Sequence, residues 1–437
     1  IIKGGKTMKK KVALLFTFLL VVGSVLAGCG GSDSSGNGEK TKDGKVVLKV
    51  TVWNYDTTPE FKALFEAYEK ENPNVKIEPI DIEAAQYDQK LTTMLASGDN
   101  TDVLTMKNVI GYSNYANRGQ LKDMSEYVKS LDGDKYNGTL DFLKVEDGKT
   151  YALPYRMDFW VLYYNKDLFD QAGIPYPENI TWEEYRELAK KLTSGSGNNI
   201  VYGAYNHTWR SVTQAIAAAQ ETGDPEAIIS GNYDFMKHQY ETYLGMQEDK
   251  SVLDFGTAKS TNTTYASQFE TGKAAMLPMG TWYIAAIINS KNQGNTNVNW
   301  GIAPLPQIEK GSEIKSFGSP TAFAVNKNAA HSKEAEKFVK WASGEEGAKV
   351  IAGVGVVPAY RTDEINNTYF NLEGVPTDEL SKSAFNPDFI NIEMPADKNS
   401  ATIDLILTEE HELIMLGENS IDDGIKKMEK RVKEEVK

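Results

Sequence analysis

Between Val46 and Met106 the chain alternates strand and helix signals, and that alternation fixes the fold class. Val46 to Trp53 is a β-branched run broken only by single polar residues, the mark of a strand. Past Pro59, Phe61, Leu64, Phe65 and Tyr68 fall at i, i+3, i+4 and i+7, one face of a helix that Asn72-Pro73-Asn74 stops. Val75 to Ile80 reads as a second strand. Tyr87, Leu91, Met94 and Leu95 mark a second helix ending at Gly98, and Asp102 to Met106 a third strand. A β-α-β-α-β order implies a parallel sheet covered by helices, an α/β lobe.

The middle of the chain repeats the theme. Tyr151 to Pro154 leads into Val161-Leu162-Tyr163-Tyr164, a buried strand. Thr181-Trp182-Glu183-Glu184 is a capping box opening a helix whose core face is Trp182, Tyr185, Leu188, Ala189 and Leu192. Further strands are expected at 201–205, 274–279, 300–304 and 322–325. Helices are expected near Met236 to Leu244, after Gly280-Thr281-Trp282, over Ser332 to Val350 as one amphipathic unit, and over Ile421 to Val436. The 392 residues from Val46 exceed what one core usually holds, so two cores are expected.

The N-terminus carries an address. Met8 precedes Lys9-Lys10-Lys11 and then sixteen uncharged residues, Val12 to Ala27, the pattern of a secretory signal. That run is shorter than the roughly 20 residues a membrane-spanning helix needs. Residues 1–7 read as lying ahead of the true start. Leu26-Ala27-Gly28-Cys29 resembles the bacterial lipobox, whose cysteine becomes the lipidated first residue, and Cys29 is the only cysteine in the chain. Residues 1–28 are thus read as signal peptide. Residues 29–45, which from Gly30 to Gly44 lack core-forming apolar side chains, are read as a lipidated flexible tether. The formal charge is −14, and removing the first 28 residues, with five lysines and no acid, leaves −19. Nucleic acid is an unsuitable partner for such a surface, since phosphate contacts need clustered Lys and Arg.

A family resemblance rests on an ordered set of segments: Trp53-Asn54; Met94-Leu95-Ala96-Ser97-Gly98 before Thr101-Asp102-Val103; and Ala152 to Asp158. Tyr163 to Phe169 with Ala172-Gly173-Ile174, Gly272 to Met276 leading to Gly280-Thr281-Trp282, Gly301 to Pro306, and Val357 to Arg361 complete it. Over about residues 45 to 436 the chain resembles the maltose-binding-protein-like solute receptors of sugar ABC importers. The resemblance implies a two-lobed, type II periplasmic-binding-protein-like α/β fold. Each lobe would be a mostly parallel sheet flanked by helices, with a ligand cleft between them. The expected division is 46–154 plus 281–325 for lobe 1 and 155–280 plus 326–437 for lobe 2.

Sugars offer hydroxyls and apolar ring faces, so a sugar site needs aromatic faces beside carboxylates, amides and Arg. Ligands of open α/β sheets sit outside the C-terminal strand ends, which selects Trp53, Tyr55 and Asp56 after the first strand. Asn108, just past the third strand, joins them. Arg156 and Asp158 stand two apart in an otherwise apolar stretch that continues to Trp160. Buried charges need partners. Either they pair with each other or the opposite lobe, or they hold ring hydroxyls, as the resembling family's equivalents do. The resemblance also implies a stacking aromatic at Trp282 and a role for Arg361, and Trp209 takes a similar lip position after a strand. Trp182 and Trp341 lie on apolar helix faces and read as packing; Trp300 reads as core or rim.

Catalytic patterns are missing. His411-Glu412 lacks the second histidine of a zinc helix, Asp132-Gly133-Asp134 has Asn137 where a calcium loop needs glycine, and no Gly-x-Ser-x-Gly elbow occurs. The expectation is a monomeric receptor, not an enzyme, needing no cofactor. It would hold a sugar or oligosaccharide for an ABC permease and be lipid-anchored at the outer face of a cell membrane, of Gram-positive type. The alternatives are a non-sugar solute (glycerol phosphate, a polyamine, a chelated metal), a secreted carbohydrate-active enzyme, or an adhesion lipoprotein. If Cys29 carries the lipid, Cys29→Ser should move the protein from the membrane fraction to the soluble fraction without changing solute affinity. Retention of that variant in the membrane pellet would refute the assignment.

Overall fold

Two long strands carry the chain back and forth between two hydrophobic cores. The computed structural model describes residue 41 and residues 44–436; Cys29, the export signal and most of the tether lie outside the described residues. Among these the strands are β1 (Val46–Trp53), β2 (Val75–Ile82), β3 (Val103–Met106), β4 (Ala152–Asn165), β5 (Tyr202–Ala204), β6 (Ala274–Gly280), β7 (Trp300–Ala303), β8 (Lys315–Val325) and β9 (Phe389–Ile392). They follow the order β2-β1-β3-β8-β4-β6-β5, with β7 added on β4 and β9 on β8.

The first three strands match the sequence reading. β1 pairs parallel with β2 along its length and with β3 at Val50↔Val103. The helix Pro59–Glu71 buries Phe61, Leu64, Phe65 and Tyr68 over this sheet. The "mostly parallel" description needs correcting, because β4 and β8 run against their neighbours. β3 with β8 and β4 with β6, β7 and β8 are antiparallel, while β5 with β6 and β8 with β9 are parallel.

β4 changes partners along its length. Residues up to Phe159 pair with β8, and residues from Trp160 onward are flanked by β6 and β7. Leu153 and Tyr155 accordingly pack into the first core with Leu48, Phe61 and Phe323. Phe159 to Tyr164 pack into the second with Trp182, Tyr240, Ile284 and Leu407. β8 crosses likewise, Phe317 lying in the second core and Ala322 to Val325 in the first, and a third crossing falls between Val356 and Val357.

Packing therefore divides the chain differently from the expected lobe boundaries. β7 pairs with the C-terminal half of β4, so it and most of the helix Trp282–Asn292 lie in the second core, although 281–325 was assigned to lobe 1. Ala335, Phe338, Val339 and Ala342, assigned to lobe 2, lie in the first. Their helix is also shorter than expected: 332–350 is two helices, Ser332–Ala342 and Glu345–Ala352. Gly347 lies so close to the first that a Cβ there would stand 2.2 Å from the Ala342 carbonyl oxygen. The capping box at Thr181 is present in both directions, and Trp182 is fully buried.

The helix Ser400–Met415, which the sequence reading did not mark, closes the second core with Ile403, Ile406, Leu407 and Ile414. It also buries His411, whose Nδ1 lies 3.1 Å from the Tyr240 hydroxyl and whose Nε2 has no partner among the described residues. Burial, assisted by Arg210 and Lys259, pushes the imidazole down to about 3. The folded protein thus holds His411 neutral where an unfolded chain, with a pKa near 6.5, would protonate it. Its contribution is complete above about pH 6.5 and is lost, by about 1.4 kcal/mol per pH unit, as pH falls toward 3. Denaturant unfolding of the wild type and His411→Asn across that window should show a flatter pH dependence in the variant; equal slopes would refute the assignment.

Candidate functional site

At the point where β4 changes partners, alternate residues along the strand share one face, and Arg156, Asp158 and Trp160 occupy it. Arg156 is held on three sides. Its Nη1 lies 2.5 Å from Glu60 Oε1, and its Nε is 3.0 Å from Asp158 Oδ2 and 3.1 Å from Thr321 Oγ1 on β8. Glu60 projects from the first turn of the helix Pro59–Glu71 and is buried. Asp158 Oδ1 accepts a bond from the Thr281 hydroxyl at 3.0 Å, and Thr281 Oγ1 accepts in turn from the Phe159 amide. Burial raises the pKa of both carboxylates, and Arg156 pulls each back. On Arg156 itself, burial works against the charge, but Asp158, Tyr155 and Glu60 outweigh it and hold the group protonated. Arg156 and Asp158 therefore pair with each other and also reach Glu60, a partner in the first core.

Next to this ionic cluster stands an aromatic wall. Trp160 stacks on Phe317 with centroids 4.9 Å apart, and meets Trp282 edge-on at 5.6 Å and Trp209 at 6.3 Å. Trp209 lies 4.3 Å from the ring of His207 and 6.1 Å from Tyr265, and 43 % of it is exposed, among the largest apolar exposures of the described residues. Burial pushes His207 down to about 4, so the ring beneath Trp209 is neutral at physiological pH. Trp282, the first residue of its helix, folds back over Gly280; a Cβ there would stand 1.8 Å from the indole. That close approach explains the glycine in Gly280-Thr281-Trp282.

The remaining candidates are placed as follows. Trp53 is buried against Phe61 and Tyr87, with Arg156 5.7 Å and Lys107 5.8 Å from its ring centroid. Tyr55 stacks on Phe65, and Asp56 is exposed. Asn108 caps the helix Val109–Asn117 by accepting from the Gly111 amide at 2.7 Å, while its amide nitrogen donates to Asp88. Arg361 follows a segment lying along β4, where Pro358 bridges Arg156 and the Ala359 amide donates to Tyr155. One chain of contacts thus links Trp53, Arg156, Asp158, Trp160, Trp209 and Trp282; Tyr55 reaches Trp53 only through Phe65 and Phe61, and Asp56 and Asn108 lie outside that chain. The sequence reading did not select Glu60, Thr281 and Thr321 of the ionic cluster, Lys107 beside Trp53, or His207 and Tyr265 of the wall. Only Thr281, beside Trp282, carried a local signal.

Such a wall offers apolar ring faces beside oriented charge-assisted donors and acceptors, the two contacts that a polar ligand with apolar faces demands. A mixed α/β fold with two cores, crossed three times by the chain and bearing this wall on a crossing strand, is that of a two-lobed periplasmic-binding-protein-like receptor. The model for the bacterial extracellular solute-binding proteins matches residues 55–349, and the chain belongs to that family. A sugar transporter of Rhizobium etli, solved in an open conformation, is 39% identical, with a TM-score of 0.76 over 89% of this chain and 99% of its own. The arabinooligosaccharide-binding protein of Bacillus subtilis (strain 168) is 22% identical over 356 residues, 79% of each chain. The maltodextrin-binding protein MdxE of the same organism is 26% identical over 360 residues, 78% of each.

Removing one member of a buried ion cluster leaves the others uncompensated, at a cost of about 3–5 kcal/mol. Glu60→Ala should lower the unfolding free energy by that amount. Glu126→Ala, which breaks an exposed pair with Lys129, should cost under about 1 kcal/mol. Denaturant titration of both variants makes the comparison, and equal losses would remove Arg156 from its place as an anchor.

Proposed function

We propose that this chain is the substrate-binding component of an ABC importer, taking a sugar or oligosaccharide between its two lobes and handing it unaltered to the permease. The observation that carries this reading is the Trp160–Trp209–Trp282 wall beside the Arg156–Asp158 pair on the crossing strand. Indole faces suit the apolar C–H faces of a sugar ring, and fixed charges suit its hydroxyls. The relatives that bind arabinooligosaccharide and maltodextrin support the same class of ligand. The lobes are taken to be the two cores, joined by β4, β8 and the 356–357 crossing. Closure would be driven by ligand contacts available only in the closed form. A lipid on Cys29, with the 29–45 tether, would hold the receptor as a monomer at the outer membrane face. The lipobox-like Leu26-Ala27-Gly28-Cys29 is the support for that part.

Calorimetric titration against a panel of sugars tests the reading. Binding near micromolar corresponds to about −8 kcal/mol, of which one stacked indole or charged hydrogen bond supplies about 1.5–3. Trp282→Ala and Asp158→Ala should each weaken binding about ten- to a hundredfold. Trp182, fully buried with its indole N–H 2.7 Å from Gln220 Oε1, gives the contrast: Trp182→Ala should lower the melting temperature and leave the affinity of the folded fraction unchanged. Wild-type affinity in the first two variants would place the site elsewhere.

A further inference from the structure

Trp209 is the open end of the aromatic wall, and an exposed indole on a loop keeps one direction only if something fixes it. The loop runs from β5, which ends at Ala204, to the helix Ser211–Ala217. Its upstream half is tied down by three bonds: the Tyr205 amide donates to the Met276 carbonyl at 2.9 Å, the Tyr185 hydroxyl to Asn206 Oδ1 at 2.9 Å, and the Thr208 amide to His207 Nδ1 at 2.8 Å. The indole itself meets rings, His207 at 4.3 Å, Tyr265 at 6.1 Å and Trp282 at 6.2 Å. Ring contacts favour certain angles, yet they do not anchor the backbone that carries the ring.

The next residue does. Arg210 is 5 % exposed, and its Nε and Nη2 both reach Asp404 Oδ1, at 2.6 Å and 2.5 Å. Asp404 belongs to the helix Ser400–Met415, which is set in the second core by Ile403, Ile406 and Leu407. The Arg210 carbonyl accepts from the Thr213 and Gln214 amides at 3.0 Å and 2.8 Å, and so opens the helix Ser211–Ala217. Side chain and carbonyl of the residue next to Trp209 are therefore both fixed, one to a neighbouring helix and one to its own.

Stability alone does not account for an arginine here. Burying a guanidinium is costly even when it is paired, and apolar residues can fill the same volume at less cost. Arg210 Nη1 is also buried without a hydrogen-bond partner among the described residues, an unfilled donor that lowers stability further. What a guanidinium supplies is direction, since its planar fork meets a carboxylate from a defined angle. That direction is imposed one residue from the exposed indole.

We propose that Arg210, held by Asp404, is a positioning residue that sets the angle of the Trp209 indole at the open end of the wall. The consequence for binding rests on the sugar-receptor reading above; the geometric part does not, and the test has an arm for each. The full chain labelled with 5-fluorotryptophan carries seven indoles, and Trp209→Phe identifies the Trp209 fluorine resonance. Asp404→Asn, which keeps the side-chain shape and removes its charge, should shift or broaden that resonance and leave those of Trp182 and Trp341, which pack elsewhere, in place. In calorimetry with the tightest-binding sugar of the panel, Asp404→Asn should lower affinity about fivefold or more. Added to Trp209→Ala, the same change should weaken binding by under about twofold, because its effect passes through that indole. Arg210→Lys, which keeps the charge but loses the fork, should give the same pattern and serves if the first variant fails to fold. An unmoved Trp209 resonance in both variants, or a loss of about fivefold that persists without the indole, would overturn the proposal. A wild-type chain that binds no sugar would overturn the receptor reading and leave the fluorine arm to decide this one.

Discussion

One guanidinium ties the two cores together at the site. Arg156 lies where β4 leaves the first core, and its partners come from three other places: Glu60 on a first-core helix, Thr321 on β8, and Asp158 one step further along β4. Asp158 passes the connection on to Thr281 at the head of a second-core helix. Burying two carboxylates and one guanidinium is costly unless they pair and hydrogen-bond, and here Arg156 reaches Glu60, Asp158 and Thr321 while Asp158 also accepts from Thr281. The same bonds that satisfy the charges fix the crossing strand, and the strand in turn fixes the aromatic wall.

That wall depends on backbone as much as on side chains. Trp160 is presented by strand alternation, so its place follows from that of Asp158. Trp282 depends on Gly280, whose missing Cβ is the space the indole fills. Trp209 is the exposed member, carried on a loop after β5 and steadied by His207 from below. The wall thus grades from a buried, rigid end at Trp160, stacked on Phe317, to an open end at Trp209.

The local elements were legible in the sequence because their causes are local. The apolar period of Pro59–Glu71, the strand run of Val46–Trp53 and the Thr181 capping box each appear as read. What could not be read was decided at a distance. β7 joins the second core because it pairs with β4, a contact across more than a hundred residues. Glu60 looks like a surface residue in the first turn of an amphipathic helix; only the fold brings Arg156 to it. Strand ends also serve local structure: Asn108 caps the helix Val109–Asn117, and Trp53 packs on Phe61 as well as lying beside Arg156. Arg156, Asp158, Trp160, Trp209 and Trp282 meet in the folded chain, as a shared site requires.

The crossing strands also govern how the chain can come into being. The first core opens at Leu48 yet is finished by Phe323, Phe338 and Ile351, so its contacts span about three hundred residues. The whole second-core segment from Phe159 to Phe317 must be threaded between. Contacts of such long range cannot form until nearly the entire polypeptide is available, and loop closure of that length slows folding. The N-terminal β-α-β-α-β unit, however well its local signals agree, has no β8 to lie against in a nascent chain. For most of its synthesis this polypeptide therefore has an incomplete sheet and an uncovered apolar face, the state that chaperones recognise and that aggregation exploits.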